Sequence, residues 1–226
     1  MPVFDHTLIP PQPDLTFELA LWKAGISLVA GIDEAGRGAL AGPVAAAVVV
    51  LPPEPQLLDG MTGVRDSKQL SPSQRETAQE TILHYAAGWG VGFASPAEID
   101  QLGILPATRL AASRALHELA ISPMHILLDY LFLPDISVPQ TSLIKGDCRS
   151  LSIAAASILA KVSRDDQMRE YDRTCPGYGF ANHKGYGTVA HRAALKQLGP
   201  SPIHRLSFKL YEEIDLPIDD NEGDVS

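Results

Sequence analysis

The chain has 226 residues, of which 45% are hydrophobic and 20% charged. A chain of this length and composition can bury a core, which excludes a wholly disordered protein. No run of about 18 apolar residues occurs, and the stretch from Met1 to Gln12 carries no Lys or Arg, so neither a membrane span nor a secretory leader is expected. The two cysteines form no disulfide or metal-binding pattern, which favours a cytoplasmic protein.

The net charge of −9 is unevenly distributed along the chain. Residues 1–144 carry a formal charge of −8, residues 145–210 carry +6 and residues 211–226 carry −7. The last stretch has few apolar residues, so it is predicted to be a flexible acidic tail. The basic stretch could face a polyanion, although ordinary exposed helix charges would give the same composition.

The first predicted elements are a short helix and two strands. Asp14 or Thr16 can cap the helix, and Gly25 would end it. Two apolar, partly β-branched runs, residues 28–32 and 44–51, flank a glycine-rich turn. They predict neighbouring buried strands.

The rest of the chain alternates between strand and helix patterns. Ser71 and Ser95 each begin a capping box followed by proline, which predicts helix starts at those points. Because strands come first and then alternate with helices, the sequence favours an α/β fold with a mixed sheet. Further strands are predicted at 89–94, 125–131 and 142–144, and helices at 72–87, 106–120, 152–173 and 189–198.

Three carboxylates stand where buried strands should be apolar. Asp33 and Glu34 end one apolar run, and Asp129 interrupts another. An unpaired buried carboxylate loses several kcal/mol of solvation, so a divalent metal is an economical partner for converging carboxylates. Neighbouring side chains on a strand face opposite ways, so we expect a break between Asp33 and Glu34, supplied by the turn at Gly36–Gly38. That turn could also approach a phosphate or sugar closely, or be an ordinary tight turn.

Other residues allow two interpretations each. Asp147 precedes a predicted helix, so it could cap that helix or join the carboxylates. Tyr186 stands between two glycines in the basic stretch, where it could lie against a sugar or base, or pack on the core. His183, His191 and His204 have no zinc-binding spacing, and we expect them to be surface or phosphate-facing groups.

Eight stretches of the chain read as motifs. They are Gly31-Ile-Asp33-Glu34-Ala-Gly36-Arg37-Gly38, Ala41-Gly42-Pro43-Val44, Asp66-Ser67-Lys68, Asp129-Tyr130, Lys145-Gly146-Asp147, Ile153–Lys161, Arg164-Asp165 and His183–Thr188. Taken together and in this order, they resemble the motifs of the ribonuclease HII family. The resemblance covers about residues 31 to 208 and implies an RNase H-like fold: a mixed central sheet flanked by helices, with a helical C-terminal part. The N-terminal extension is too short for the additional substrate domain of type HIII enzymes.

The resemblance also implies an activity. It is metal-dependent cleavage of the RNA strand of RNA/DNA hybrids, and incision of DNA duplexes on the 5′ side of a single ribonucleotide, leaving a 3′-hydroxyl and a 5′-phosphate. Two Mg²⁺ or Mn²⁺ ions are implied, with Asp33 as our hypothesis for the shared ligand, Glu34 and Asp129 on one ion and Asp147 on the other. The implied catalytic and metal-binding residues are Asp33, Glu34, Asp129 and Asp147, and the implied substrate-binding residues are Gly36, Arg37, Gly38, Ser67, Lys68 and Tyr186. Within that set, Lys68 matches a phosphate-contacting lysine and Tyr186 the tyrosine that senses the ribose at an RNA to DNA junction.

The expected organisation is an extension with a short helix (1–25), a catalytic domain (26–210) and the acidic tail (211–226). The expected partners are RNA/DNA hybrids and ribonucleotide-containing DNA duplexes, and the protein is expected to be a monomer. One alternative is a catalytically inactive RNA/DNA-hybrid binding protein with the same fold. Another is an α/β enzyme acting on a small phosphorylated metabolite, which would leave the basic stretch without a role.

Overall fold

A computed structural model describes Asp5, Thr7 and residues 9–211 of the chain. Residues 212–226 of the predicted acidic tail lie outside the described residues. Among the described helices, none combines the length and the apolar composition that crossing a membrane requires.

The centre of the fold is a five-stranded mixed sheet with the strand order β3-β2-β1-β4-β5. Strands β1, β2 and β3 are antiparallel neighbours, whereas β4 runs parallel to both β1 and β5. The prediction of a mixed sheet is therefore confirmed. The strands are β1 (Val29–Ala35), β2 (Val44–Leu51), β3 (Gly88–Ala94), β4 (His125–Asp129) and β5 (Gln140–Leu143).

Helices cover both faces of the sheet. Both predicted capping boxes form, at Ser71 and Ser95. Helix α5 begins earlier than predicted, at Ile104, because Pro106 fits in the first turn of a helix, where a missing N–H leaves no bond unmade. The helices are α1 (Thr16–Lys23), α2 (Leu57–Gly60), α3 (Pro72–Tyr85), α4 (Pro96–Leu102), α5 (Ile104–His117), α6 (Leu151–Thr174), α7 (Phe180–His183) and α8 (Val189–Leu198).

Helix α6 packs directly against β1. A Cβ atom on Gly31 would lie 2.2 Å from the backbone carbon of Ser152, so only glycine permits this approach. Alternate residues of β2 pack into two different parts of the core. Ala47 packs on the face of the sheet that α6 covers, and Ala46 packs on the face that α5 covers. The close approach brings the start of α6 to the sheet.

The N-terminal helix α1 supports the start of α6. Glu18 is fully buried and accepts hydrogen bonds from Ser150 Oγ (2.6 Å) and Ser152 N (3.0 Å). A carboxylate at this place is favourable because the N-terminus of a helix carries partial positive charge. The N-cap of α6 is Ser150, whose Oγ accepts from Ile153 N. Asp147 is therefore not the cap of this helix, which was one of its two predicted roles.

Candidate active site

Three carboxylates converge at one edge of the sheet. The parallel register places Ile32 opposite Leu128, so Asp33 and Asp129 follow side by side where the pairing of β1 with β4 ends. Asp147 belongs to a 3₁₀ turn between β5 and α6. One oxygen from each of these three aspartates lies within 4.8 Å of the other two.

Short hydrogen bonds hold the aspartates in place. The backbone N–H of Gly146 donates to Asp129 Oδ1 at 2.7 Å, which ties β4 to the turn that carries Asp147. The N–H of Glu34 donates to Asp33 Oδ1, also at 2.7 Å. Backbone N–H groups thus orient the carboxylates of Asp33 and Asp129.

Glu34 occupies a different position from the three aspartates. Strand β1 stays paired through Ala35, so the expected break between Asp33 and Glu34 is wrong. Side chains directly opposite on paired strands share a face, and Ala47 opposite Asp33 and Ala46 opposite Glu34 pack on different faces. Glu34 still borders the same cavity, where its Oε1 accepts from Arg37 Nη1 at 3.0 Å. Its Oε2 is buried with no hydrogen-bond partner.

The carboxylates repel one another. Burial raises the pKa of Asp33 well above its usual value, and the charges of Glu34 and Asp129 raise it further. Burial and the neighbouring Asp147 raise the pKa of Asp129 to about 6, and burial also raises the pKa of Glu34 despite Arg37. The site therefore lacks enough positive charge of its own and favours a cation.

Lys68 supplies part of that charge. It lies in a 3₁₀ turn with Nζ 3.3 Å from Asp147 Oδ2 and 3.9 Å from Asp66 Oδ1. Burial lowers the pKa of Lys68, but Asp147 and Asp66 outweigh burial and raise it overall. Ser67 anchors the turn to α6 through a 2.9 Å contact between its Oγ and Ser157 Oγ.

A cavity of about 580 Å³ opens over the cluster. Its lining includes Asp33, Glu34 and Asp129 together with all six predicted substrate-binding residues: Gly36, Arg37, Gly38, Ser67, Lys68 and Tyr186. The lining also contains Ser157 and Lys161, to which no role was assigned from the sequence. Both lie in the matching stretch Ile153–Lys161, and their spacing of four residues on α6, which places them on one face of the helix, is the signal that could have indicated a shared role.

Two buried arginines hold the Gly36–Gly38 turn. Gly36 has a φ of 91°, and a Cβ atom there would lie 1.9 Å from Arg164 Nε. Arg205 donates to the carbonyl oxygens of Gly36 (2.7 Å) and Arg37 (2.8 Å). Both arginines are fully buried, so these two members of the basic stretch support the turn and do not face a polyanion.

Tyr186 lines the cavity, and its ring lies next to two cationic side chains. Its ring is 5.4 Å from the Arg164 guanidinium and 5.8 Å from Lys161 Nζ, and 37% of the residue is exposed. By contrast, His191 and His204 are buried, so the expectation that they face the surface or phosphates is wrong. Neutral imidazoles can be buried when each nitrogen has a partner, and these two contact each other.

Carboxylates that cluster where two parallel strands stop pairing, next to lysines and an arginine in an open cavity, are typical of a metal-dependent hydrolase of phosphoesters. A sequence profile described as Ribonuclease HII matches residues 30–211. The chain is 54% identical to a ribonuclease HII of Chloroflexus aggregans over 210 residues, 91% of this chain and 98% of the relative. It is 55% identical to a ribonuclease HII of a Synechococcus strain over 199 residues, 87% of this chain and 88% of the relative.

A solved structure shows the same fold. The ribonuclease HII of Archaeoglobus fulgidus, determined in a complex with PCNA, superposes with a TM-score of 0.68 at 26% identity, covering 82% of this chain and 97% of that one. The chain belongs to the ribonuclease HII family, the metal-dependent type 2 ribonucleases H. All four carboxylates that the resemblance implies are present, which counts against the inactive hybrid-binding alternative.

Proposed function

We propose that this protein cleaves the RNA strand of RNA/DNA hybrids and incises DNA duplexes on the 5′ side of single ribonucleotides, leaving a 3′-hydroxyl and a 5′-phosphate. One observation carries the proposal. The cavity that Asp33 and Asp129 line is also lined by the Gly36–Gly38 turn and Tyr186. The backbone of this turn and the tyrosine are suited to approach a ribose. The carboxylates therefore line the same cavity as the groups that can recognise the 2′-hydroxyl of that ribose.

We propose that the site holds two divalent cations, Mg²⁺ or Mn²⁺. Hard divalent cations prefer carboxylate oxygens, and the unpartnered Glu34 Oε2 is an oxygen that a cation would satisfy. Asp33, Glu34, Asp129 and Asp147 would hold the ions. When bound, such ions activate a water molecule and neutralise charge on the departing 3′-oxygen.

The protein's own groups place the substrate. Lys68, beside Asp147, can contact the phosphate next to the scissile bond, and Lys161 extends the positive charge along the same cavity. A Cβ atom added to Gly38 would meet no heavy atom within 4 Å, so the backbone at this turn is open to a sugar. Tyr186 can present its ring to a ribose and its hydroxyl to the 2′-oxygen.

The test uses two substrates, a DNA duplex with one ribonucleotide and a continuous RNA/DNA hybrid. Cleavage of both is expected with Mg²⁺ or Mn²⁺ and is expected to stop in EDTA. Tyr186→Phe and Tyr186→Ala should lower cleavage at the single ribonucleotide more than cleavage of the hybrid. Equal losses on both substrates would remove the junction-reading role from Tyr186, and cleavage in EDTA would refute the metal-dependent site.

We also propose that the protein acts as a monomer in the cytoplasm. The lining already contains three of the four implied catalytic carboxylates and all six residues implied to bind substrate, so the proposed chemistry calls for no residue from a second copy. Both Cys148 and Cys175 are free thiols, as is typical of a reducing compartment. A single species of monomer mass in analytical ultracentrifugation would support the monomer, and a stable dimer would contradict it.

A further inference from the structure

Two buried histidines lie behind the cavity wall. His191 is in the first turn of α8 and His204 follows that helix; they are 0% and 2% exposed. Their Nε2 atoms are 3.0 Å apart. Buried imidazole nitrogens need hydrogen-bond partners, and all four nitrogens of this pair have one. Neither residue has a place in the chemistry described above.

The hydrogen bonds of the pair run in one direction. The backbone N–H of Ser201 donates to His204 Nδ1 at 2.8 Å, so His204 carries its hydrogen on Nε2. His204 Nε2 then donates to His191 Nε2, and His191 Nδ1 donates to the carbonyl oxygen of Tyr186 at 2.9 Å. A backbone N–H only donates and a carbonyl oxygen only accepts. The Ser201 end and the Tyr186 end of this series of hydrogen bonds therefore require the same pair of histidine tautomers.

The surroundings keep both rings neutral. The ring of His183 stacks on His191 with centroids 4.4 Å apart, and the ring of Tyr178 lies 5.1 Å from that of His204. Burial, then His183 and Arg192, lowers the pKa of His191. Burial and His191 lower the pKa of His204 to about 4. A second proton on either ring would oppose an existing N–H, so the chain keeps its direction at neutral pH.

Arg205, the residue after His204, fixes the Gly36–Gly38 turn. Arg205 donates to the carbonyl oxygens of Gly36 and Arg37. The N–H of Leu40 donates to the carbonyl of Gly185 at 2.8 Å, which joins the two loops directly. Two consecutive residues therefore support two parts of the cavity wall. His204 supports Tyr186 through His191, and Arg205 supports the Gly36–Gly38 turn through the carbonyl oxygens of the turn.

We propose that His204 and His191 are positioning residues that hold Tyr186 at the depth needed to read a ribose beside the Gly36–Gly38 turn. They thereby set the preference for a single ribonucleotide over a continuous hybrid. This inference rests on the proposed junction-reading role of Tyr186. A single ribonucleotide offers one 2′-hydroxyl, so a displaced tyrosine has no alternative contact, whereas a continuous hybrid also offers neighbouring 2′-hydroxyls and an A-like shape.

Two substitutions at one position test the hydrogen-bond chain. His204→Phe keeps a ring but can neither donate nor accept, whereas His204→Gln keeps one acceptor and one donor. His204→Phe is expected to lower the ratio of kcat/KM for the single ribonucleotide to kcat/KM for the hybrid by about tenfold, and His204→Gln to restore most of it. His125→Phe, which removes a hydrogen bond to Thr141 at the opposite end of β4, is the matched control and should leave the ratio unchanged.

The effect must pass through Tyr186. In a Tyr186→Ala background, His204→Phe should change the ratio no further. Equal losses on both substrates, or no recovery with His204→Gln, would overturn the inference. If Tyr186→Ala alone leaves the ratio unchanged, the role proposed for the tyrosine fails as well. If Tyr186→Ala lowers the ratio and His204→Phe does not, only the positioning role fails.

A spectroscopic measurement is independent of any variant's folding. Nitrogen-15 NMR of the imidazoles in the wild-type protein should show His204 protonated at Nε2 and His191 at Nδ1 at neutral pH. Detection of the opposite tautomers, or of an imidazolium at either residue, would overturn the directed chain.

Discussion

The two sides of the cavity are built on different physical principles. On the sheet side, Asp33, Asp129 and Asp147 crowd like charges together, and burial raises the pKa of Asp33 and Asp129. On the helical side, buried Arg164 and Arg205 are hydrogen-bonded to backbone carbonyls, such as those of Pro43 and Gly36. The sheet side is electrostatically incomplete without cations, whereas the helical side is satisfied by the protein itself.

This difference separates two kinds of defect. Removing a charge on the sheet side should affect every substrate equally, because each scissile phosphate needs the same ions. Removing a hydrogen bond on the helical side should change geometry, and therefore the choice between substrates. Four experiments test that division.

The largest effect is expected from Asp129→Asn. It should lower cleavage of both substrates by about a thousandfold at saturating magnesium, the upper end for loss of one electrostatic group. The same substitution should raise the free energy of unfolding of the metal-free protein at pH 7 by about 1–2 kcal/mol, because a raised carboxylate pKa means that its ionised form destabilises the fold. Single-turnover kinetics and urea unfolding in EDTA measure the two quantities.

The distinctive expectation is that Asp129→Asn lowers cleavage activity while it raises the free energy of unfolding of the metal-free protein. Intact cleavage by Asp129→Asn would contradict the ligand assignment. A fall in metal-free stability would instead show that the hydrogen bond from Gly146 to Asp129 outweighs the repulsion.

The next largest effect is expected from Gly36→Ala, with Gly38→Ala as its matched control. The new Cβ of Gly36→Ala would meet Arg164 at 1.9 Å, at a φ of 91° that disfavours alanine, so unfolding free energy should fall by about 3 kcal/mol. A Cβ at position 38 would have no neighbour within 4 Å, so stability should change little. Thermal unfolding of the two variants compares them, and equal stabilities would refute the described packing of Arg164 on the turn.

A smaller effect concerns acid stability. The pKa of His204 is lowered to about 4 from an ordinary value of 6.5, so the unfolded chain binds more protons between these pH values. Stability contributed by neutral His204 is therefore complete above pH 6.5 and decreases as the pH falls toward 4, by about 2 kcal/mol between pH 7 and pH 5. His204→Gln should flatten this part of the pH profile in metal-free urea unfolding, and an unchanged slope would contradict the neutral buried ring.

The smallest effect is expected in the salt dependence of binding. If Lys68 contacts a phosphate, Lys68→Ala should reduce the slope of log affinity against log salt concentration by about 1, on both substrates alike. Lys23→Ala, at the end of α1, is the control. Fluorescence anisotropy in calcium or EDTA measures binding without cleavage. An unchanged slope would place Lys68 away from the phosphates.

Part of the sheet side was predictable from sequence because its signals are local, since Asp33 and Asp129 are anomalies within apolar strands. The sequence did not indicate that β1 pairs with β4, and it is this pairing that brings these two aspartates together. The face of Glu34 was not predicted correctly, because pairing of β1 continues past Asp33 through contacts with β2 that the sequence pattern does not reveal. The identity of a residue can thus be correct while its orientation is not.

The helical side was largely hidden. Its hydrogen bonds join residues far apart in sequence, as from Arg205 to Gly36 and from Arg164 to Pro43, and such bonds leave no periodic mark. The amino-acid composition of a segment does not distinguish a buried arginine from an exposed one. His204 was likewise expected to lie at the surface or to face phosphates. Patterns of spacing indicate which residues carry chemistry, but not which residues support them from behind.

The contact from Arg205 to the Gly36 turn has a consequence for synthesis of the protein. The turn emerges from the ribosome early, yet the guanidinium that fixes it is made 169 residues later. A nascent or prematurely terminated chain that ends before Arg205 would contain Asp33, Glu34, Asp129 and Asp147 but would lack the two hydrogen bonds from Arg205 to the Gly36–Gly38 turn. The hydrogen bonds from Arg205 to the Gly36–Gly38 turn can therefore form only after nearly all of the chain has been translated.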